Sequence, residues 1–99
     1  MTITKKLDGD KLTVAVKDRL DTVTAPELEE ELKAATDSAK ELIMDFAELE
    51  YISSAGLRVL LTAHKKMSGK GGSMKLIHVN EMVREVLDVT GFMSVLNVE

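Results

Sequence analysis

The chain has 99 residues, of which 44% are hydrophobic, and its 17 acidic and 13 basic residues give a formal net charge of −4. It contains no cysteine, which excludes a disulfide framework, thiol chemistry and a Cys-based zinc site, and the acidic balance argues against a nucleic-acid surface. One domain over residues 1–99 is expected, with a core of aliphatic residues, since the chain has two Phe, one Tyr and no Trp.

No apolar run approaches the length of a membrane span, and Met1 to Lys6 lacks the apolar core of a signal peptide. The expectation is a soluble cytoplasmic protein that acts away from membranes and is a monomer when free.

Thr2 to Leu7 and Lys11 to Lys17 alternate polar and apolar residues, with Leu12, Val14 and Val16 on one face of the second run. Asp8-Gly9-Asp10 between them reads as a hairpin turn, so an antiparallel pair is expected at one sheet edge. Asp18 to Thr24 reads as a loop. Thr24 is then the expected N-cap of a first helix reaching about Ala39, with Glu27 completing a capping box and Pro26 in the first turn. Val23 and Leu28 have the spacing of a hydrophobic staple. Leu28, Leu32 and Ala35 form the buried stripe, and Glu29 to Glu31 a solvated face.

Leu42 to Asp45 reads as a buried parallel strand, Phe46 to Glu50 as a polar connection, and Ile52 as an apolar anchor. A second helix is expected from Ala55 to about Ser68, with Ser54 as its N-cap and Leu57, Leu60, Leu61, His64 and Met67 facing the sheet or its margin. Gly69 to Gly72 is a turn. It lacks the spacing and the Lys-Ser/Thr ending of a phosphate loop. Ser73 to Val79 reads as a strand parallel to Leu42 to Asp45. Asn80 caps a third helix with Val83, Val86 and Leu87 inward, and Gly91 stops it. Val95 to Val98 is a candidate final strand.

No catalytic constellation is present. His64 and His78 are a packed and a surface histidine on this reading. Two histidines without cysteine or a helical His pair do not build a metal site, and no cofactor is expected. Ser54 has no general base evident in the sequence and no Gly-x-Ser-x-Gly elbow around it, so it reads as a substrate for another enzyme, not as a nucleophile. A serine at a helix start is otherwise a cap worth about 1 kcal/mol.

Tyr51-Ile52-Ser53-Ser54-Ala55-Gly56-Leu57 resembles the signature of the STAS-domain anti-sigma-factor antagonists. Leu20-Asp21 with Thr24-Ala25, and the run from Val83 to Phe92, resemble two further segments of that family. Aligned on Gly56-Leu57, the family's phosphorylated position falls on Ser54, its Asp position on Ser53 and its second hydroxyl position on Ala55. At the position before Leu20-Asp21 where the family usually has Gly, this chain has Asp18.

The resemblance implies an α/β fold: a STAS domain with a mixed sheet of about four to five strands, an N-terminal antiparallel hairpin and three helices. It also implies a phosphorylation-switched binding module, not an enzyme. Its partners would be an anti-sigma factor that is a serine kinase and a serine phosphatase that restores Ser54. Unmodified, it would bind the anti-sigma factor and free a sigma factor. Phosphorylation of Ser54 would disrupt that complex. The partner-binding set is Asp21, Thr24, Ser53, Ser54, Ala55, Gly56 and Arg58. Small residues at 53, 55 and 56 would let the partner's backbone come close. Arg58, one turn beyond Ser54, either reaches the phosphate or is a solvated or partner-contacting arginine. Two other readings are a non-phosphorylated structural STAS subunit of a transport or signalling assembly, and an enzyme or phosphocarrier.

Overall fold

The computed structural model describes residues 2–99. Ten elements follow one another along the chain. Strands β1 (Thr2–Asp8) and β2 (Lys11–Leu20) precede helix α1 (Ala25–Ser38). Strands β3 (Glu41–Asp45) and β4 (Leu49–Ile52) lead into α2 (Ser54–Gly69). Strand β5 (Ser73–Ile77), helix α3 (Glu81–Val89), a 3-10 turn (Phe92–Ser94) and strand β6 (Asn97–Val98) complete it. The sheet has six strands in the order β1-β2-β3-β5-β6, with β4 paired to β2 off that path.

The hairpin forms as expected at the sheet edge, β1 antiparallel to β2, with Gly9 in the left-handed region at φ 66°. The other pairings are parallel: β2 with β3, β2 with β4, β3 with β5 and β5 with β6. Parallel strands need both faces of their central members covered or shortened, and β3 is accordingly apolar, with Leu42, Ile43 and Met44 buried.

Strand β2 has two neighbours on one side in succession. Its first half, Lys11 to Ala15, pairs with β3. Its end, Asp18 to Leu20, pairs with β4, with a bulge between Asp18 and Arg19. Asp18 takes φ 76°, a left-handed conformation that glycine adopts without cost, and its N–H donates to the Glu48 carbonyl at 3.0 Å. The bulge turns Leu20 fully into the core.

This corrects the reading of 46–50 as a polar connection and of 18–24 as a loop. Phe46 and Leu49 are buried, at 0% and 1% exposure, and they flank a tight turn in which the Leu49 N–H donates to the Phe46 carbonyl. Strand β4 is therefore the additional strand, and β2 continues to Leu20.

Helices α1 and α2 pack on each other and α2 on β5, while α3 packs against β4. Leu28, Leu32 and Ala35 of α1 and Val59 and Ala63 of α2 are buried in one shared core. Lys66 of α2 and Lys70, its C-cap, reach backbone carbonyls of the last turns of α1. Lys70 Nζ donates to Thr36 O at 2.6 Å and Ala39 O at 2.8 Å, and Lys66 Nζ to Lys33 O at 3.3 Å. Asn80 caps α3 as expected: its Oδ1 accepts from Val83 N at 2.8 Å, and its Nδ2 donates to Leu49 O at 2.7 Å. Gly91 ends the segment at φ 81°.

Candidate functional site

The site is the N-terminal end of α2 and the loop beside it. The start of α2 lies one residue earlier than expected. Ser53, in extended conformation, is the N-cap, and its Oγ accepts from Gly56 N at 3.4 Å. Ser54, read from the sequence as the cap, is the first helical residue and is exposed. Among the described residues, no hydrogen bond engages its hydroxyl. Two adjacent serines carry the same capping chemistry, so the sequence alone did not separate them.

The core holds this end of α2 in place. Ser53 N donates to Leu20 O at 2.9 Å, extending the β2–β4 ladder to the first residue before the helix. Gly56 is buried. A Cβ there would stand 2.7 Å from Leu20 Cγ and 2.9 Å from Ile52 Cγ1. The expectation that Gly56 opens the surface to a partner is thereby corrected. Its small size lets α2 close onto β2 and β4 within the chain. Ser53 and Ala55 are half-buried beside it.

The loop Asp21 to Thr24 is closed on itself. Asp21 Oδ1 accepts from Val23 N at 3.0 Å and Thr24 N at 3.1 Å. Thr24 Oγ1 accepts from Asp21 N at 2.9 Å and donates to Arg19 O at 2.8 Å. Asp21 is thus the residue that satisfies the donors ahead of α1. The expected Thr24 side-chain cap and its capping box with Glu27 do not form, and Thr24 has helical backbone angles. The staple fails too, because Val23 is 84% exposed while Leu28 is fully buried. The Thr24 backbone N–H holds the Asp21 carboxyl below its ordinary value. Partial burial opposes this, and the Val23 N–H, the Thr24 hydroxyl and Arg19 reinforce it.

Arg19 joins the two halves of the site, a role not read from the sequence. Its guanidinium lies 4.4 Å from the Tyr51 ring centroid, and its Nε lies 3.6 Å from Asp21 Oδ2. A cation over an aromatic face at an exposed site contributes about 0.5–1 kcal/mol. Its sequence signal is faint, a lone arginine in a stretch that reads as loop.

A groove of about 200 Å³ separates the two walls of the site. Thr22, Ala25, Pro26 and Glu29 line one side and Ala55, Arg58, Val59 and Thr62 the other. Asp21 and Thr24 close the loop from which Thr22 lines the groove, and exposed Arg58 lies on its helix wall, one turn on from Ser54. Glu29, expected only as part of a solvated face, puts a carboxylate in the same groove.

The two histidines are elsewhere. His64 is half-buried in α2. His78 takes φ 56°, and its Nδ1 lies 2.9 Å from Asp45 Oδ1. Among the described residues no group of three or more His, Asp or Glu side chains converges as for a metal, and no helix is long and apolar enough to cross a membrane.

The STAS domain family model matches residues 2–99, and the chain belongs to that family. BtrV of Bordetella bronchiseptica, assigned as an anti-sigma factor antagonist, is 36% identical over 94 residues, covering 94% of this chain and 80% of that protein. The anti-sigma-B factor antagonist of Bacillus subtilis is 26% identical over 93 residues, covering 94% of this chain and 85% of that protein. The crystal structure of an anti-sigma factor antagonist from Mycobacterium paratuberculosis superposes with a TM-score of 0.89 at 26% identity, covering 98% of this chain and 83% of that one.

Proposed function

We propose that this protein is an anti-sigma factor antagonist of the cytoplasm whose binding is switched by phosphorylation of Ser54. The observation that carries the reading is the division of labour between the two serines. Ser53 is spent on the helix cap, and Ser54 presents an exposed hydroxyl at the first helical position, next to Ala55, which lines the groove. The names borne by its relatives support the partner class, an anti-sigma factor.

The hydroxyl has no base of its own, so the partner is a serine kinase that brings the base, the nucleotide and the metal. Unmodified Ser54, the half-buried Ser53 and Ala55, the loop of Asp21 and Thr24, and Arg58 form the contact surface. Gly56 contributes from beneath, by seating the helix. Phosphorylation adds about −1.5 to −2 charge at neutral pH. Buried against the partner without a counter-charge, that phosphate weakens the complex, and about 1.4 kcal/mol is already tenfold in affinity. Within the free chain the helix N-terminus and Arg58 offset the new charge, so the fold persists. A phosphatase returns the protein to its binding form.

The test is titration calorimetry against each serine kinase anti-sigma factor of the same organism. Wild type binds one of them, Ser54→Glu binds it about tenfold or more weakly, and Ser53→Glu melts at a lower temperature. Equal binding of wild type and Ser54→Glu to that kinase contradicts the proposal and favours a structural STAS subunit.

A further inference from the structure

We propose that the outer face of α3 is a docking surface for a basic amphipathic helix of a partner protein. Val83 and Leu87 turn the inner face of α3 into the core, where both are fully buried. Met82 and Val89 stand two turns apart on another face, and Val86, packed against the core as expected, lies at its edge between them. Met82 is 58% and Val89 80% exposed, with Val86 half-buried between them. Among the described residues five large apolar side chains are prominently exposed, and three of them (Met82, Val89 and Val95) fall in this stretch. A soluble surface scatters such residues singly, and a stripe at helical spacing marks a contact.

The charge beside the stripe selects the occupant. A groove of about 440 Å³ runs along α3, lined by Glu81, Arg84, Glu85, Asp88 and Met93. Among the described residues, none of its three carboxylates is in an ion pair. Arg84 is turned to the Glu99 carbonyl, at 3.5 Å. An apolar stripe bordered by unpaired carboxylates matches a helix with Leu or Ile on one side and Lys or Arg beside them. A two-fold contact between copies of this chain would oppose the same carboxylates to one another, and anionic lipid or nucleic acid would be repelled. Methionine adds a side chain that adapts its shape to the helix it receives.

The experiment uses the full ¹⁵N-labelled chain and a Leu/Lys amphipathic peptide of about 18 residues, long enough to hold a helix. The amide shifts should fall on Met82 to Met93. The double variant Met82→Gln, Val89→Gln and the single variant Glu85→Lys should each weaken binding about tenfold, the loss of an anchor's contribution. A Leu/Glu peptide of the same length should not bind. All substituted positions are exposed, and unchanged circular dichroism verifies the fold. Shifts that fall elsewhere or uniformly over the surface, or affinity unchanged in both variants, would overturn the proposal. Sedimentation that reveals a dimer, lost in the double variant, would overturn it in favour of a second copy of this chain.

Discussion

The Ser53 hydroxyl accepts a hydrogen bond from the Gly56 backbone N–H at 3.4 Å, which leaves its neighbour Ser54 as the free hydroxyl of the pair. The two serines should therefore respond differently to substitution. Ser53→Ala removes a cap and should cost about 0.5–1 kcal/mol, the low end of the range because the bond is long. Ser54→Ala removes no hydrogen bond and should leave the melting temperature within error of wild type. Urea denaturation of the two variants distinguishes them. A larger loss from Ser54→Ala would mean that the cap assignment is wrong.

Gly56→Ala should destabilise the protein by about 1–3 kcal/mol, the range for forcing extra volume into a packed interior. The added methyl would meet Leu20 Cγ at 2.7 Å, and Leu20 is fully buried and cannot swing away. Because Leu20 also fixes Ser53 through its carbonyl, the substitution should disturb the site as well as the fold. The double variant Leu20→Ala, Gly56→Ala should lose less than the sum of the single changes, since the space vacated at 20 accommodates the methyl added at 56.

The Asp21 loop gives stability a dependence on acid. Its carboxyl is held below the ordinary value of 3.8, with the Thr24 backbone N–H as the main cause. A carboxyl lowered in the folded state stabilises the protein at all pH above the unfolded value, and that contribution is lost as pH falls through the folded value. Wild-type stability should therefore decline below about pH 4. Asp21→Asn should be less stable than wild type at neutral pH and should lose less on acidification. Asp37 and Asp45 are lowered as well and will keep part of the slope in that variant. Parallel curves for the two proteins would show that Asp21 is not a contributor.

Arg58 should act on the phosphorylated form. It lies one turn from Ser54 on an exposed face, within reach of a phosphate at that position. Its cation favours the dianion, so Arg58→Ala should raise the second pKa of the phosphoserine, near 6, by about half a unit, an exposed-pair effect. Phosphorus NMR of the two phosphoproteins measures it directly. An unchanged pKa would leave Arg58 as a partner contact or a solvated side chain.

Much of the fold was legible from periodicity and punctuation. Asp8-Gly9-Asp10 marked the hairpin, Leu42 to Met44 the buried strand, Asn80 and Gly91 the limits of α3. The features that were missed have physical causes. Strand β4 is four residues long and begins after a turn whose sequence looks polar, although Phe46 and Leu49 anchor it in the core. Its pairing depends on the bulge at Asp18, a conformation that only the tertiary structure rewards. The six strands exceed the expected number by that one element.

The candidate site was legible as a region and less so atom by atom. Ser53 and Ser54 both satisfy the local rule for a cap, and the choice between them rests on the Leu20 carbonyl, far away in sequence. Thr24 lost its capping role to Asp21 because Asp21 reaches two N–H groups at once. Gly56 looked like a surface residue for a partner because nothing local reveals that Leu20 and Ile52 fill the space above it. Arg19 was overlooked because its partners, Tyr51 and Asp21, come together only in the fold.

The most direct test of the phosphorylation switch is site-resolved mass spectrometry of the protein isolated from its own cells, with Ser54→Ala as the control. A single phosphate on Ser54, absent from the control, is the predicted result. Phosphate on Ser53, or neither serine modified under any growth condition, would contradict it.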